Sequence, residues 1–463
     1  MRQMTKPSSL GSYAKENDGG ASAGRTPSNA ARVRAAIAAM VGTMLEWYDF
    51  TLFTLFSALV FQRIFFVSSS PEIATVLSLG VFAAGFLARP IGALLFGRIG
   101  DKYGRKNVLV ASLVMMGTAT TLIGLLPTYA QIGAWAALPL LALRVVQGFA
   151  AGGELGTAIT YSAEYAPPRW RGLWAAMPAV GNFAGIVLSA LAFRWAVGLS
   201  EEELFSWGWR IPFISGAAVL ILGIVIRSGM HETPAYIAKD SGGIAQHLTL
   251  QQVLLRAWKP MLILGIVYFC ANGTAYFFQA LAANFASSVL MISRVGIANG
   301  TLLGAIGGMF TVMMFGALSD KIGRRPVMII GFMLALAAAA ILFFFLKTGD
   351  AAGFAVVVVI ALAGANAGYN SAINSWGSEL FTTEIRLTGM SFSREVAGSL
   401  GGGLVPVVGA SIIAATGAGA SRYLFALLSA LIGIAVIAIL MTRETRGAAS
   451  DMDIGEVKLG PGR

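Results

Sequence analysis

Long apolar runs separated by short charged stretches fill most of this chain. A helix that crosses a lipid bilayer needs about 20 apolar residues. The pattern predicts twelve such helices, near residues 34–60, 73–97, 107–127, 136–163, 173–197, 209–228, 259–283, 297–318, 327–346, 353–377, 389–413 and 421–442. We therefore expect an all-α integral membrane protein with twelve transmembrane helices.

The longest polar interruption, 229–258, falls between the sixth and seventh predicted helices. It divides the chain into a six-helix bundle at 32–228 and a second one at 259–442, joined by a central cytoplasmic loop. Residues 1–31 are rich in Gly, Ser and Ala without any periodicity, which predicts a disordered tail. A second polar tail is expected at 443–463.

One charged loop occurs in each predicted bundle. GRIGDKYGRKN at Gly97–Asn107 is matched by GALSDKIGRRP at Gly316–Pro326, where Asp320 corresponds to Asp101. An internal repeat of this kind predicts two similar halves. Parallel repeats in an apolar chain are the pattern of secondary transporters, so the fold expected is two six-helix pseudo-repeats.

The repeated charges are candidate gating residues. Asp101 precedes Arg105 by four residues, so the carboxylate can pair with the arginine and meet the N-terminus of the next helix. We expect cytoplasmic latches that hold the outward-open state and break as the halves rock. A plain positively charged loop would explain the lysines and arginines but not the repeated aspartate. The full set is Asp101, Arg105, Glu164, Arg171, Asp320, Arg324, Glu379 and Arg386.

Composition agrees with a membrane protein. The chain is 56% hydrophobic and 12% charged, whereas ordinary domains carry about 25% charged residues. The net charge of +11 could suggest nucleic acid as a partner. However, the positive residues concentrate in alternate short loops, which is the positive-inside pattern of membrane proteins. This pattern predicts cytoplasmic termini and argues against nucleic acid.

The residues that catalysis would need are missing from the sequence. The single cysteine, Cys270, excludes an intramolecular disulfide and a cysteine metal site. There is no nucleotide loop, no metal-ligand cluster and no nucleophile with a base. We therefore expect a protein that is not an enzyme, needs no cofactor or metal, and works as a monomer in the lipid bilayer.

Ionisable residues inside the predicted helices are functional candidates, because each costs at least about 2.5–3.5 kcal/mol to insert. Glu46 and Asp49 are three residues apart, hence on one face of the first helix. Arg89 in the second helix and Arg144 in the fourth can pair with carboxylates at similar depths. Glu154 lies further along the fourth helix. Arg89 could instead snorkel to the headgroups.

If protons cross the membrane with a substrate, a carboxylate must carry them, because His231 and His247 both fall in the central loop. Glu46 and Asp49 are the first choice for proton coupling, and Glu154 is the third candidate. Two alternatives stay open: the Glu46–Asp49 segment only packs the first helix, or Glu154 tethers helices near the cytoplasmic gate.

The second half carries uncharged polar residues at spacings of three and four, which line one face of a helix. They could hydrogen-bond a substrate or bond between helices. The set comprises Asn272, Tyr276 and Gln279 on the seventh helix, and Asn366, Tyr369, Asn370 and Asn374 on the tenth. Over both halves, the substrate-binding candidates are Arg89, Arg144, Tyr48, Asn272, Tyr276 and Asn370.

Several segments carry a resemblance to a known family. They are LEWYDF (Leu45–Phe50), ARPIGALLFG (Ala88–Gly97), LRVVQGFAAGGELG (Leu143–Gly156), the stretch Glu164–Gly172, WGWRIPF (Trp207–Phe213), HETPAY (His231–Tyr236) and RETRG (Arg443–Gly447). With the repeated loop they resemble the major facilitator superfamily, and within it the metabolite:proton symporters that carry α-ketoglutarate, citrate, shikimate or proline and betaine. The resemblance implies a symporter of the inner membrane that works by alternating access.

One segment departs from that family. After GMSF this chain has Arg394 and Glu395, where such proteins usually have an aromatic–polar pair. No family role can be carried over to these two residues. We expect them to form a local neutral pair near the inner end of the eleventh helix.

The function expected is proton-driven uptake of a small organic acid, with Arg89 and Arg144 as partners of its carboxylates. The alternative is uptake of a zwitterionic osmolyte such as proline or betaine, with Trp47, Tyr48 and Tyr276 around its cation. A drug antiporter is disfavoured because the fifth helix, MPAVGNFAGIV, lacks a GP-containing glycine motif. A transporter-like receptor is disfavoured because the polar C-terminal segment is short.

Overall fold

The computed structural model describes residues 29–67, 70–103, 105–165, 177–228, 250–381 and 385–445. Helices and short connections make up all of this described part. Ten of its helices are long and apolar enough to cross a membrane. The helix at Asn29–Leu59 and the shorter apolar helix at Val110–Gly124 complete the twelve predicted spans. The all-α fold with two six-helix halves is confirmed.

The first half contains helices α1 to α6. These are α1 (Asn29–Leu59), α2 (Pro71–Tyr103), α3 (Arg105–Gly124), α4 (Ala137–Tyr165), α5 (Met177–Val197) and α6 (Gly216–Ser228). The connections contain the short helices Phe61–Phe65 and Tyr129–Ile132 and the 3-10 turn Gly133–Ala136. α6 follows the turn Glu201–Glu203, the π-helical turn Leu204–Gly208 and the helix Arg210–Ile214.

The second half contains helices α7 to α12, three of which include π-helical turns. The continuous ones are α8 (Arg294–Ile322), α11 (Arg386–Thr416) and α12 (Ala420–Leu440), with the 3-10 turn Gly417–Gly419 before α12. α7 comprises Leu250–Tyr276, the π-helical turn Phe277–Leu281 and Ala282–Ser288. α9 comprises Arg324–Ala340 and the π-helical turn Ile341–Phe345. α10 comprises Ala351–Val359, the π-helical turn Ile360–Asn366 and Ala367–Glu379.

The central loop is shorter than predicted. α7 already begins at Leu250, inside the predicted loop 229–258, and bends at Ala257, where φ and ψ are −126° and 24°. Pro260, three residues further on, explains the bend, because its ring removes a backbone donor and clashes with the preceding turn. The remainder of that loop, 229–249, and both predicted tails outside 29–445 lie beyond the described residues.

Glycines allow the helices of each half to pack closely. α2 packs on α4 in the first half, and α7 packs on α11 in the second. A Cβ on Gly148 of α4 would lie 1.7 Å from the carbonyl oxygen of Gly85 on α2. A Cβ on Gly401 of α11 would lie 2.0 Å from the carbonyl oxygen of Phe269 on α7. Only glycine permits these two backbone approaches.

The two halves meet along two seams, α2 against α11 and α5 against α8. On the first seam, Gly402 and Gly403 of α11 lie against Phe86 of α2, which is 3.0 and 3.2 Å from the Cβ positions of the two glycines. On the second seam, Gly308 of α8 lies against the ring of Phe183 of α5. The functional site described below lies beside the first seam.

The bundle has two ends, and we call the one that carries the repeated loops the loop end and the other the far end. At the far end, Glu201 of the first half accepts hydrogen bonds from Arg294 of the second half at 3.1 Å and from Arg63 of its own half at 3.2 Å. Asn284 Nδ2 of α7 donates to the carbonyl oxygen of Ala58 on α1 at 3.1 Å. The far end therefore joins the two halves.

Candidate functional site

Asp49 of α1 lies at the centre of a buried hydrogen-bond network in the first half. Its Oδ1 accepts from Gln147 Nε2 at 2.7 Å and from the hydroxyl of Thr120. Arg144 Nη1 donates to Gln147 Oε1 at 3.2 Å and lies 4.0 Å from Asp49 Oδ2. Arg144 and Gln147 reach the same carboxylate because they are three residues apart on one face of α4.

Arg144 is fully buried, with 0% of its surface exposed. Its guanidinium carbon lies 4.4 Å from the ring centre of Phe50, 4.3 Å from that of Phe53 and 5.3 Å from that of Phe82, so aromatic faces surround the charge. Its Nε and Nη2 have no hydrogen-bond partner within the part of the chain that the structure describes. These two groups can therefore donate hydrogen bonds to an anionic ligand.

Arg89 of α2 bonds to two carboxylates, one from each half. Its Nη2 donates to Glu46 Oε1 at 3.0 Å, and its Nε donates to Glu395 Oε2 at 3.3 Å. Arg89 is only 8% exposed, so the snorkelling alternative is wrong. The expected local pair of Arg394 and Glu395 is also wrong, because the Glu395 carboxylate bonds to Arg89 across the seam.

The two ion pairs border the same aromatic ring. The guanidinium carbons of Arg89 and Arg144 lie 5.0 and 4.4 Å from the ring centre of Phe50. Glu46 and Asp49, which the sequence places on one face of α1, each reach a different arginine. The structure thus brings together four of the charged residues that the sequence selected, on α1, α2 and α4.

Tyr276 of the second half reaches this cluster through aromatic contacts. Its ring lies parallel to Trp47 at 6.2 Å and meets Phe86 edge-on at 4.9 Å. Arg89 stacks on the same Phe86 ring at 5.6 Å. Tyr276 is therefore placed beside Arg89, as a substrate-binding residue would have to be.

Other polar residues of the second half have mixed surroundings. Asn370 Nδ2 donates to Asn366 Oδ1 on the same helix, and Tyr268 OH donates to Asn374 Oδ1 at 2.9 Å between α7 and α10. Gln279 is 5% exposed, and both of its amide atoms lack a partner among the described residues. Two further members of the set are placed by packing: Asn272 is half-buried beside Gly398, and Tyr369 stacks on Phe332 at 4.8 Å.

The hydroxyl of Tyr48 bonds to the segment just before α6. Its hydroxyl donates to the carbonyl oxygen of Pro212 at 2.8 Å and lies 2.9 Å from Ser215 Oγ. These contacts tie α1 to the residues just before α6. The role of Tyr48 in substrate binding stays a prediction, and the structure adds this contact between the helices.

At the loop end, the second copy of the repeated loop forms a charged cluster. Arg324 bonds to Asp320 at 2.6 Å and to Glu379 at 3.3 Å. The backbone N–H groups of Arg324 and Arg325 donate to the Glu444 carboxylate at 2.8 and 3.0 Å, which caps α9. The gating candidates Asp101, Arg105, Glu164, Arg171 and Arg386, and the proton candidate Glu154, have side chains outside the described part.

The sequence did not predict the contacts that four residues make in the buried cluster and at the loop end. Gln147 and Thr120 are uncharged, so the cost of inserting a charge did not point to them. Glu395 was noticed as a charge, but its partner lies in the other half. Glu444 stands in the RETRG segment, and a carboxylate that follows the last helix was the available signal for a cap on α9.

Comparisons with known proteins agree with the geometry. The family model described as "Sugar (and other) transporter" matches residues 35–253, and that described as "Major Facilitator Superfamily" matches residues 264–453. The crystal structure of a D-xylose-proton symporter shares the fold, with a TM-score of 0.70 at 17% sequence identity, over 90% of this chain and 99% of that chain.

The curated relatives are transporters, and the matches cover nearly the whole length of this chain and of theirs. The inner membrane metabolite transport protein YhjE of Escherichia coli strain K12 is 36% identical over 91% of this chain and 96% of its own. The citrate-proton symporter of Klebsiella pneumoniae is 34% identical over 89% of this chain and 93% of its own. Shikimate and proline/betaine transporters are also among the relatives. These matches confirm a multi-pass membrane transporter rather than an enzyme, and the chain belongs to the major facilitator superfamily as one of its proton-coupled metabolite transporters.

Proposed function

We propose that this protein imports a small organic acid, a mono-, di- or tricarboxylate, together with protons by alternating access. One observation carries the proposal: Arg144 is fully buried, yet its Nε and Nη2 have no partner among the described residues. Buried hydrogen-bond donors without partners are costly. A substrate carboxylate relieves this cost by accepting two parallel hydrogen bonds.

Asp49 carries the coupled proton in this proposal. Its Oδ2 lies 4.0 Å from Arg144 and accepts no hydrogen bond in the part of the chain described. A substrate carboxylate that binds Arg144 competes with Asp49 for the positive charge. Burial then favours the neutral form of the released carboxyl group, so substrate binding and proton uptake support each other. Glu46, bonded to Arg89, and Glu154 remain the further proton candidates.

Arg89 and the residues across the seam complete the proposed substrate site. Tyr276 packs on the Phe86 ring that Arg89 also covers, so substrate bound at Arg89 is within reach of its hydroxyl. Asn272, half-buried on the same helix, and Asn370 on α10 are the amide candidates for hydrogen bonds from the second half. The first half supplies both arginines, and the second supplies neutral donors and acceptors besides Glu395.

Orientation and division into domains follow from the charge pattern. We propose that the loop end faces the cytoplasm, with both termini there, because Lys and Arg concentrate in its loops. The protein then works as a monomer in the inner membrane, with a first bundle that ends at Ser228 and a second that begins at Leu250. The Asp320–Arg324–Glu379 cluster and its counterpart at Asp101 are the proposed cytoplasmic latches.

A thermal-shift screen of the purified protein tests the substrate class. Citrate, shikimate, succinate, proline and glycine betaine serve as probes, since a ligand present at 100 times its Kd stabilises a protein by about 2.7 kcal/mol. We expect at least one acid to raise the unfolding temperature. Arg144→Gln should abolish that shift, while Arg194→Gln, a change at an exposed arginine near the far end of α5, should preserve it.

The same screen decides between acids and a second candidate, a zwitterionic osmolyte. That candidate is favoured by the surplus of carboxylates in the cluster: Glu46, Asp49 and Glu395 surround two arginines. A cation could balance this surplus, and Trp47 and Tyr276 offer aromatic faces beside it. Stabilisation by proline or glycine betaine, with none by any acid, would overturn the organic acid as substrate.

A further inference from the structure

The ion pair of Arg89 and Glu395 connects the two halves inside the membrane. Arg89 belongs to α2 of the first half and Glu395 to α11 of the second. Both side chains are about nine-tenths buried, with 10% and 8% of their surfaces exposed. The bond therefore crosses the seam along which the halves must separate, in surroundings where water screens it little.

The position of this ion pair on the seam determines which end of the bundle it holds together. Glu395 lies nine residues into α11, about 13 Å from the loop end of that helix at 1.5 Å per residue. The glycine contacts of Gly402 and Gly403 with Phe86 continue the same seam towards the far end. Nearer the far end, Arg294 and Glu201 also join the halves. Breaking the Arg89–Glu395 bond would thus release the loop end first.

Arg89 divides its donors between the halves. Nη2 bonds to Glu46 within the first half at 3.0 Å, and Nε bonds to Glu395 of the second half at 3.3 Å. Since Glu46 keeps Arg89 paired, the Glu395 bond can exchange for another carboxylate without leaving the guanidinium bare. A buried charge that loses its last partner is strongly destabilising, so this double pairing is what makes the exchange possible.

We propose that Glu395 is a positioning residue that fastens α11 to α2 through Arg89, and that a substrate carboxylate opens this clasp by replacing Glu395 on Arg89. In the empty carrier, the Glu395 carboxylate then occupies the position on Arg89 that the substrate carboxylate takes when it binds. The exchange with substrate rests on the proposed function. The clasp itself concerns only the two halves of the empty protein, so it can be tested without any ligand.

Distance measurements between spin labels test the clasp. Labels replace Ile99 of α2 and Ile322 of α8, which are 42% and 44% exposed at the loop ends of the two halves, in a background where Cys270 is replaced by Ser. In the empty protein, Glu395→Gln should raise the ratio of long to short distances about tenfold, equivalent to about 1.4 kcal/mol. Glu395→Asp, which keeps the charge, should restore most of the short distances.

Glu46→Gln is the matched control, because it removes the other carboxylate from Arg89 without touching the bond between halves. Its thermal stability should fall about as much as that of Glu395→Gln, while its distances stay those of the unaltered protein. Equal lengthening in both variants, or lengthening in neither, would overturn the proposal. If Glu395→Gln does not fold, Glu395→Met takes its place, since it also removes the carboxylate, and unchanged distances there overturn the clasp.

Citrate, added to the unaltered labelled protein, tests the exchange separately. It should shift the distances towards those of Glu395→Gln and cause no further shift in that variant. A positive clasp result with no thermal stabilisation by any acid would leave the clasp standing and reject the proposed substrate class. Thermal stabilisation by citrate with unchanged distances would reject the exchange and leave the organic acid as substrate.

Discussion

The two halves share a six-helix fold and a repeated loop, but buried glutamines in them are used differently. Gln147 of the first half uses both amide atoms, one towards Arg144 and one towards Asp49. Gln279 of the second half is also buried, and neither of its amide atoms has a partner among the described residues. The buried glutamine of the first half is thus part of an assembled charge network, whereas that of the second half presents open hydrogen-bonding groups.

This difference indicates that the open groups and the assembled network have different functions. A buried polar group without a partner costs about 1–3 kcal/mol, so open groups are retained at a cost to stability. Gln279 and the free donors of Arg144 are such groups. We infer that they are kept for a ligand, while Asp49, already fixed by Gln147 and Thr120, is kept for the proton.

The largest effect is expected from Asp49→Asn, which removes the proton carrier from the assembled half. Accumulation of substrate driven by a pH gradient in proteoliposomes should disappear, since no proton is bound and released in the cycle. Exchange of labelled for unlabelled substrate should continue, because Arg144 keeps its open donors. Citrate is the first probe, followed by any other acid that stabilises the protein.

Asp350→Asn is the control for that experiment. Asp350 caps α10 by accepting from the backbone of Gly353 at 2.8 Å, and asparagine caps a helix equally well. This variant should accumulate substrate like the unaltered protein. If Asp49→Asn also accumulates substrate normally, Asp49 is not the proton carrier, and Glu46 becomes the candidate to test.

The charged site of the first half could largely be predicted from the sequence, because inserting a charged residue into a membrane costs free energy. Glu46, Asp49, Arg89 and Arg144 stand out in apolar runs, and the structure pairs them. Periodicity also gave the helices, with an error at Leu250, where the polar sequence conceals a helical extension of α7. Such features are local in the chain.

Other parts of the site depend on distances that periodicity does not contain. The partner of Glu395 belongs to another half, so the pattern around GMSFSRE could only suggest a neighbour such as Arg394. Tyr48 adjoins Asp49 in the chain, yet its hydroxyl bonds to Pro212 and Ser215 of another helix segment. Packing between helices decides both cases.

The next largest effect should come from replacing each of the two glutamines with leucine. Gln147→Leu breaks a buried network and leaves Asp49 with fewer donors, so we expect a loss of about 1–3 kcal/mol in stability. Gln279→Leu removes two unsatisfied groups, so the empty protein should be as stable as before or more stable. Thermal unfolding in detergent measures both.

Ligand binding sharpens the comparison of the glutamines. Gln279→Leu should weaken the stabilisation by any acid that binds, because its amide then offers nothing to the substrate. Destabilisation of the empty protein by Gln279→Leu, as large as that by Gln147→Leu, would show that Gln279 has a structural partner. The contrast between the halves would then fail.

A smaller effect is expected at the repeated loops. Asp320→Asn loosens Arg324, and Asp101→Asn should do the same in the first half if the repeat is functional. Asp320 is half exposed, so the pair contributes less than about 1 kcal/mol. Labelling of a cysteine placed at buried Met390, near the loop end of α11, should accelerate a few-fold in a background without Cys270. Unchanged labelling in both variants would argue against latches.

The smallest effect should follow from Glu201→Gln at the far end, which contrasts an exposed link between the halves with the buried one at Arg89. The side chains of Glu201 and Arg63 are 68% and 54% exposed, and that of Arg294 is 20% exposed. Exposed ion pairs contribute about 0.2–1 kcal/mol. The unfolding temperature of the variant should therefore be slightly lower at 0.01 M salt, where the screening length is about 30 Å. It should be unchanged at 1 M salt, where that length is about 3 Å.

Glu202→Gln, a change at the exposed neighbouring residue, should have no effect at either salt concentration. A loss that persists at high salt, or one as large as that of Glu395→Gln, would mean that the far end rather than the buried clasp holds the halves together.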